Sequence, residues 1–100
     1  GMRYLVRFDF GLNNAFGKEV QLLTSQELQF LKDNIGTKIY LGEIQGKHSE
    51  VYGTLESSDF KILAEYEEDN VFVKEFDRHF NRGFGINIFS ALVEAVNEKE

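Results

Sequence analysis

The stretch that most constrains how this chain can fold is Lys38–Glu56, in which two strand-like runs flank a short polar segment. The polar segment, Gly46–Ser49, consists of residues that favour turns. The two flanking runs are therefore predicted to pair as a β-hairpin. We interpret this hairpin as the part that organises the fold rather than as a place where chemistry occurs.

The register of the hairpin depends on the length of its loop. A four-residue loop sets Gly42 opposite Gly53, whereas a two-residue loop sets Glu43 opposite Glu50. Like charges directly opposite each other cost stability, so the four-residue register is preferred. The facing glycines would then leave a notch in the apolar face. A packed helix is expected to fill such a notch, and a ligand is its less common use.

Two strands are predicted before the hairpin. Residues 3–10 alternate apolar and polar side chains, with Leu5 as the exception, which is the period of a half-buried strand. The alternation resumes over 18–23, with Val20 and Leu22 expected to face inward. These two strands are predicted to pair antiparallel.

Three helices are predicted from apolar residues at helical spacing. Thr24 and Glu27 have the spacing of a capping box, and Gly36 suits the position just past a helix end. A second helix follows the acidic run at 67–70, and a third begins after Asn87. The apolar stripe of the second helix, interpreted as core rather than as a docking face, consists of Phe72, Val73, Phe76 and Phe80.

Residues 57–66 are open to two interpretations. Alternation up to Tyr66 favours a third strand of a meander, whereas Ser58 could cap a short helix, and the strand is preferred. The element order is then β-β-α-β-β-β-α-α, which predicts an α+β fold: a mainly antiparallel sheet of about five strands with helices packed on one face. We expect a single domain over residues 1–100, with Gly1 left by removal of a tag.

Composition argues against several classes of protein. The chain has no cysteine, which removes disulfide scaffolds, thiolate metal sites and cysteine nucleophiles and fits a reducing compartment. No apolar run approaches the roughly 18 residues of a membrane span, and the start lacks the layout of a secretory signal. We therefore expect a cytoplasmic protein without a membrane partner, and no cofactor is predicted.

The net charge of −6 lies in the second half of the chain. Residues 1–50 hold six acidic and six basic side chains, whereas 51–100 hold eleven acidic and five basic ones. This balance disfavours nonspecific nucleic acid binding, which needs Lys and Arg at phosphates. It suits a basic partner, because complementary fields speed and select encounters. The plain alternative is that the charge keeps a small domain soluble.

The candidate binding residues are Lys47, His48 and Glu50 at the hairpin tip and Glu67, Glu68 and Asp69 in the acidic run. The tip has residue types used in acid–base and nucleophilic catalysis. Neighbours on a strand point to opposite faces, however, so these groups do not converge and no catalytic residue is predicted. Exposed tips often carry recognition, which makes contact with a partner the preferred role.

A metal site is not predicted. His48 and His79 are 31 residues apart and lack the paired spacing of zinc sites. Glu75 and His79 stand at i, i+4 and could supply two ligands from one helix face. We interpret them instead as an ordinary solvated pair on the helix surface.

The leading hypothesis is a small non-enzymatic interaction protein of the bacterial or phage accessory kind. It would bind or inhibit a basic partner through the acidic second half of the chain. The alternative is a small hydrolase or ligand-binding domain with its site at 46–50. A third hypothesis is a homo-oligomer that buries an aromatic face between subunits.

Overall fold

The structure, a computed structural model, describes residues 1–9, 19–44, 49–80, 83–84 and 88–98. The elements in these residues are β1 (Met2–Phe8), β2 (Glu19–Thr24), α1 (Ser25–Asp33), β3 (Lys38–Ile44), β4 (Ser49–Thr54), a 3₁₀ turn (Ser57–Asp59), β5 (Phe60–Glu67), α2 (Val71–Phe80), β6 (Gly83–Phe84) and α3 (Ile88–Glu98). The predicted α+β class and antiparallel pairing are confirmed. No helix in these ranges is both long enough and apolar enough to cross a membrane.

The strands form two sheets. One has four antiparallel strands in the order β5-β1-β2-β6, and the other consists of β3 and β4. The strand predicted over 57–66 exists as β5, but it pairs with β1 rather than with β4 as a meander would require. The 3₁₀ turn lies between β4 and β5, and the carbonyl of its last residue, Asp59, accepts a hydrogen bond from the amide of Asp9 at 2.7 Å.

Helices cover both faces of the four-stranded sheet rather than the one face expected. Val6 and Phe8 of β1 belong to a first core that also contains buried residues of α1, α3 and the hairpin. Leu22 belongs to a second core with Val73 and Phe76 of α2, and Leu5 packs against it. Leu5 breaks the alternation of β1 because it lies on this second apolar face.

The hairpin register differs from the predicted one, and that prediction is wrong. Glu43 lies opposite Glu50, which is the pairing that the charge argument rejected. Gly42 lies opposite Val51, and Gly53 pairs with another residue of β3, so the two glycines do not face each other. The notch expected between them is therefore not formed.

A β-bulge explains the change of register. The pairing shifts between Tyr40 and Gly42, and Gly42 has a φ of +129°, a conformation that favours glycine. The bulge sets Tyr40 opposite Tyr52, and their rings meet edge to face with centroids 5.4 Å apart. An aromatic cross-strand pair contributes roughly 0.2–1 kcal/mol to a sheet, which opposes the destabilisation by the like charges at Glu43 and Glu50.

Helix α1 begins as the sequence predicts. The Thr24 hydroxyl accepts a hydrogen bond from the amide of Glu27 at 3.1 Å, and the Glu27 carboxylate accepts one from the amide of Thr24 at 2.9 Å. These reciprocal bonds form the capping box. Gly36, just past the helix end, has a φ of +100°.

Candidate protein-binding groove

A groove of about 360 Å³ lies between the hairpin and helix α3. Its lining residues are Lys38, Tyr40, Glu50, Tyr52, Ala91, Glu94, Ala95 and Glu98. We call it the tyrosine groove. It combines two aromatic side chains with three carboxylates and one ammonium group, so its lining carries an excess of negative charge.

Helix α3 supplies one wall through the spacing of its residues. The four lining residues of this helix stand at i, i+3, i+4 and i+7 and therefore share one side of it. Ile88 and Leu92 are buried in the first core. Ala91 and Ala95 are small, which leaves space beside the hairpin, while the Glu94 side chain is exposed.

The hairpin supplies the other wall through the alternation of strand residues. Ile39 is fully buried in the first core, so the side chains of Lys38 and Tyr40 point the other way. Tyr40 is 44% exposed and Tyr52 is 45% exposed. Large aromatic side chains left this accessible in a concave site are typical of recognition surfaces.

A carboxylate and an ammonium group both contact Tyr52 at this wall. The Tyr52 hydroxyl donates a hydrogen bond to Glu50 Oε2 at 3.1 Å, and this bond is the main cause that raises the pKa of Tyr52. The charge of Glu50 and, more weakly, of Glu98 acts in the same direction. Lys38 Nζ lies 5.0 Å from the centroid of the Tyr52 ring, which places one cation against this aromatic face.

Among the predicted residues of the hairpin tip, the structure places Glu50 in the tyrosine groove. Lys47 and His48 lie outside the described residues. A role for the tip in binding a partner, or in a small hydrolase or ligand-binding site at 46–50, therefore stays a prediction. Tyr40 and Tyr52 were not among the predicted binding residues. Their exposure on the strand face opposite to Ile39 follows from the alternation of strand residues once the bulge is known.

The acidic run occupies a different part of the molecule. Glu67 ends β5, Glu68 and Asp69 follow it, and all three are exposed. Glu68 Oε1 lies 3.6 Å from Nη1 of Arg3, a buried residue that also pairs with Asp77. The run is thus partly neutralised by a cation of β1, and its residues are not among those that line the groove.

The helix pair at Glu75 and His79 is present as predicted, with Glu75 Oε2 3.4 Å from His79 Nε2. The same oxygen accepts a hydrogen bond from Arg78 at 2.6 Å, and Arg78 is the main cause that lowers the pKa of Glu75. In the described ranges, no group of three or more His, Cys, Asp or Glu side chains is arranged to hold a metal ion. The Glu75 carboxylate is therefore paired mainly with arginine.

The aromatic stripe of α2 is only partly core. Val73 and Phe76 are buried, as predicted, whereas Phe72 is 38% exposed and Phe80 is 44% exposed. Phe72 stacks on Tyr66 of β5 with centroids 4.7 Å apart. The homo-oligomer hypothesis, which uses this face, stays a prediction that light scattering at high protein concentration would test.

A second concavity of about 350 Å³ is lined by Arg7, Asp9, Ser58, Asp59, Phe60 and Lys61. Its two basic and two acidic side chains balance. Asp59 Oδ2 already accepts a hydrogen bond from the amide of Glu56 at 2.8 Å. The tyrosine groove, with its excess of charge and exposed aromatic rings, is the stronger candidate for a binding site.

Comparison with protein-family models, with curated protein sequences and with solved structures found no match.

Proposed function

We propose that this chain is a small non-enzymatic binding protein whose tyrosine groove takes up a positively charged segment of a partner protein. The observation that carries the proposal is the exposure of Tyr40 and Tyr52 in a groove that also holds three carboxylates. A cytoplasmic location belongs to the same proposal, because the chain lacks the cysteines that stabilise many small secreted domains.

The chemistry of the lining matches such a ligand. The face of a tyrosine ring attracts a cation within about 6 Å of its centre. Carboxylates form short, charge-assisted hydrogen bonds with ammonium and guanidinium groups. Tyrosine also offers a large contact area with few rotatable bonds, so little conformational entropy is lost on binding. A segment that alternates basic and small residues would use all three contributions.

The net charge of −6 supports the proposal at longer range. Complementary charge raises the rate of association more than it raises the lifetime of a complex. We therefore assign different roles to the two acidic regions. The run at Glu67, Glu68 and Asp69 attracts a basic partner, whereas the groove holds it.

Titration of a fluorescent peptide tests the groove. An arginine- and lysine-rich peptide is expected to bind the wild-type chain. Its affinity should fall as salt is raised from 50 to 500 mM, because this shortens the Debye length from about 14 to about 4 Å. Tyr40→Leu is expected to weaken binding about fivefold or more. The matched control is Leu63→Ala, which removes part of an exposed side chain of β5. Equal binding by Tyr40→Leu and the wild type would contradict the proposal.

Stopped-flow kinetics test the division of roles. Reversal of charge at Glu67, Glu68 and Asp69 is expected to slow association severalfold and to leave dissociation nearly unchanged. Glu94→Gln and Glu98→Gln are expected to speed dissociation instead. If charge reversal and added salt both leave binding unchanged, the electrostatic part of the proposal is wrong.

A further inference from the structure

The tyrosine groove already contains a cation that belongs to the chain itself. Lys38 Nζ stands 5.0 Å from the centroid of the Tyr52 ring, within the range of a cation–π contact. Strand pairing places the Lys38 and Tyr52 side chains close together, because Lys38 lies opposite Thr54, two residues after Tyr52, and Tyr40 lies opposite Tyr52 itself. The aromatic face best placed for a partner's cation is thus occupied in the free protein.

We propose that Lys38 is an internal competitor, and that the groove binds an arginine of the partner by exchanging the Lys38 ammonium for a guanidinium on the Tyr52 face. This inference rests on the proposed function. The Lys38 side chain is exposed, so its ammonium group regains water when it leaves the ring. A flexible four-carbon stem makes this movement inexpensive.

Arginine is the ligand that gains most from the exchange. A guanidinium group is planar and weakly hydrated, stacks on aromatic rings and binds carboxylates through two parallel hydrogen bonds. An ammonium group is strongly hydrated and, on this ring, would only replace another ammonium group. Glu50 accepts a hydrogen bond from the Tyr52 hydroxyl, and Glu94 and Glu98 line the same groove, so carboxylates lie near the ring on which a guanidinium would stack.

The exchange predicts that the effect of removing a lysine on peptide binding depends on whether that lysine lies at the Tyr52 ring. Removing Lys38 frees the Tyr52 face, whereas removing a lysine elsewhere changes only the net charge. Lys74 provides the matched control, because it is an exposed residue of α2 and does not line the groove. Lys38→Met and Lys74→Met therefore make the same change in net charge and differ in what they do at the ring.

The test measures binding of two capped peptides, one of arginine and glycine and one of lysine and glycine, to the full chain. We expect wild type to prefer the arginine peptide severalfold. Lys38→Met should bind it about two- to fivefold more tightly than Lys74→Met does, the range set by an exposed cation–π contact. Lys38→Gln serves as a second variant, and thermal unfolding verifies that each variant is folded. In a Tyr52→Leu background the effect of Lys38→Met should disappear.

The outcomes separate the two proposals. If wild type binds the peptides but Lys38→Met and Lys38→Gln behave like Lys74→Met, the competitor role is overturned while the proposed function stands. Equal affinity for both peptides overturns the arginine preference. If wild type binds neither peptide at low salt, the proposed function fails and this inference fails with it.

Discussion

The Glu19 carboxylate accepts a hydrogen bond from the backbone amide of Ile88 at 2.9 Å, which ties the first residue of β2 to the first residue of α3. Gln21 Nε2 donates to the same oxygen, Oε1, at 2.7 Å. The other oxygen, Oε2, is buried without a hydrogen-bond partner among the described residues. Burial raises the pKa of Glu19 to about 7, against the opposing effect of the two hydrogen bonds.

This pKa predicts a pH-dependent stability. Because the folded-state pKa lies above the ordinary value of 4.5, the folded chain binds the proton more tightly than the unfolded chain does. The contribution of protonated Glu19 to the unfolding free energy is complete below about pH 4.5 and is lost as the pH rises through about 7. Glu19→Gln keeps an acceptor for Ile88 but cannot ionise. We expect it to be more stable than wild type by roughly 2–3 kcal/mol at pH 8 and about equally stable near pH 4.

Urea unfolding across this pH range measures the effect. Glu65→Gln, the same change at an exposed residue of β5, is the control and should follow the wild-type curve closely. Parallel pH curves for wild type and Glu19→Gln would show that Glu19 does not carry this dependence.

The pair between Arg3 and Asp77 predicts a difference between two acidic residues of α2. Arg3 is 4% exposed and donates two hydrogen bonds of 3.0 Å to the Asp77 carboxylate and one of 2.8 Å to the carbonyl of Leu22. Asp77→Asn leaves this buried cation without its full counter-charge. We expect a loss of about 1–3 kcal/mol at pH 7, less than for a fully buried pair because Asp77 is 35% exposed.

Chemical denaturation checks this value, with Glu75→Gln as the comparison. Glu75 lies on the same helix and pairs with Arg78 at an exposed position. Its substitution removes the same charge but should change the unfolding free energy little. Equal losses for the two variants would mean that the buried position of Arg3 is not the cause.

The capping box of α1 predicts that removal of a single hydroxyl group lowers the stability of the chain. Thr24→Ala removes the acceptor for the amide of Glu27 and should lower the unfolding free energy by about 1 kcal/mol. Thr24→Ser restores a hydroxyl in the same position and should recover most of the loss. Thermal unfolding of the three proteins makes the comparison, and a Thr24→Ser variant as unstable as Thr24→Ala would argue against the hydrogen bond.

The attachment of the hairpin predicts a local effect on hydrogen exchange. Ile39 and Leu55 are fully buried in the first core. The Leu55 carbonyl accepts a hydrogen bond from the amide of Gly36 at 2.7 Å, and the Leu55 amide donates one to the carbonyl of Thr37 at 2.9 Å. Ile39→Ala should cost about 2–4 kcal/mol. Amides of β3 and β4 should then exchange faster relative to those of β1, as measured by NMR. Tyr40→Ala, at the neighbouring exposed position, should cost less, and equal exchange rates in both variants would count against separate attachment of the hairpin.

Much of the fold follows from local patterns in the sequence. The capping box at Thr24, the strands on either side of the first loop and the apolar residues Val73 and Phe76 were all predictable, because each depends on residues a few positions apart. The exception in the first strand, Leu5, was also informative. An apolar residue out of phase in a strand indicates a second buried face.

The rest depends on contacts between distant residues. The buried contact of Glu19 is with Ile88, which lies 69 residues later in the chain, and no local pattern in the sequence predicts that contact. The bulge next to Tyr40 decides the hairpin register, and the aromatic pair that it allows opposes the charge repulsion between Glu43 and Glu50. The lining of the tyrosine groove depends on the same bulge, since the bulge sets which hairpin residues lie beside α3.

The packing of helices on both faces of the four-stranded sheet also affects how this chain can diverge over evolution. A substitution in β1 or β2 meets packed neighbours on whichever side its side chain points, as Val6 on one face and Leu22 on the other illustrate. On the hairpin, Lys38, Tyr40 and Tyr52 are exposed and line the tyrosine groove, so packing restricts them less. Sequence change at the proposed binding groove is therefore less restricted by packing than change in the four-stranded sheet.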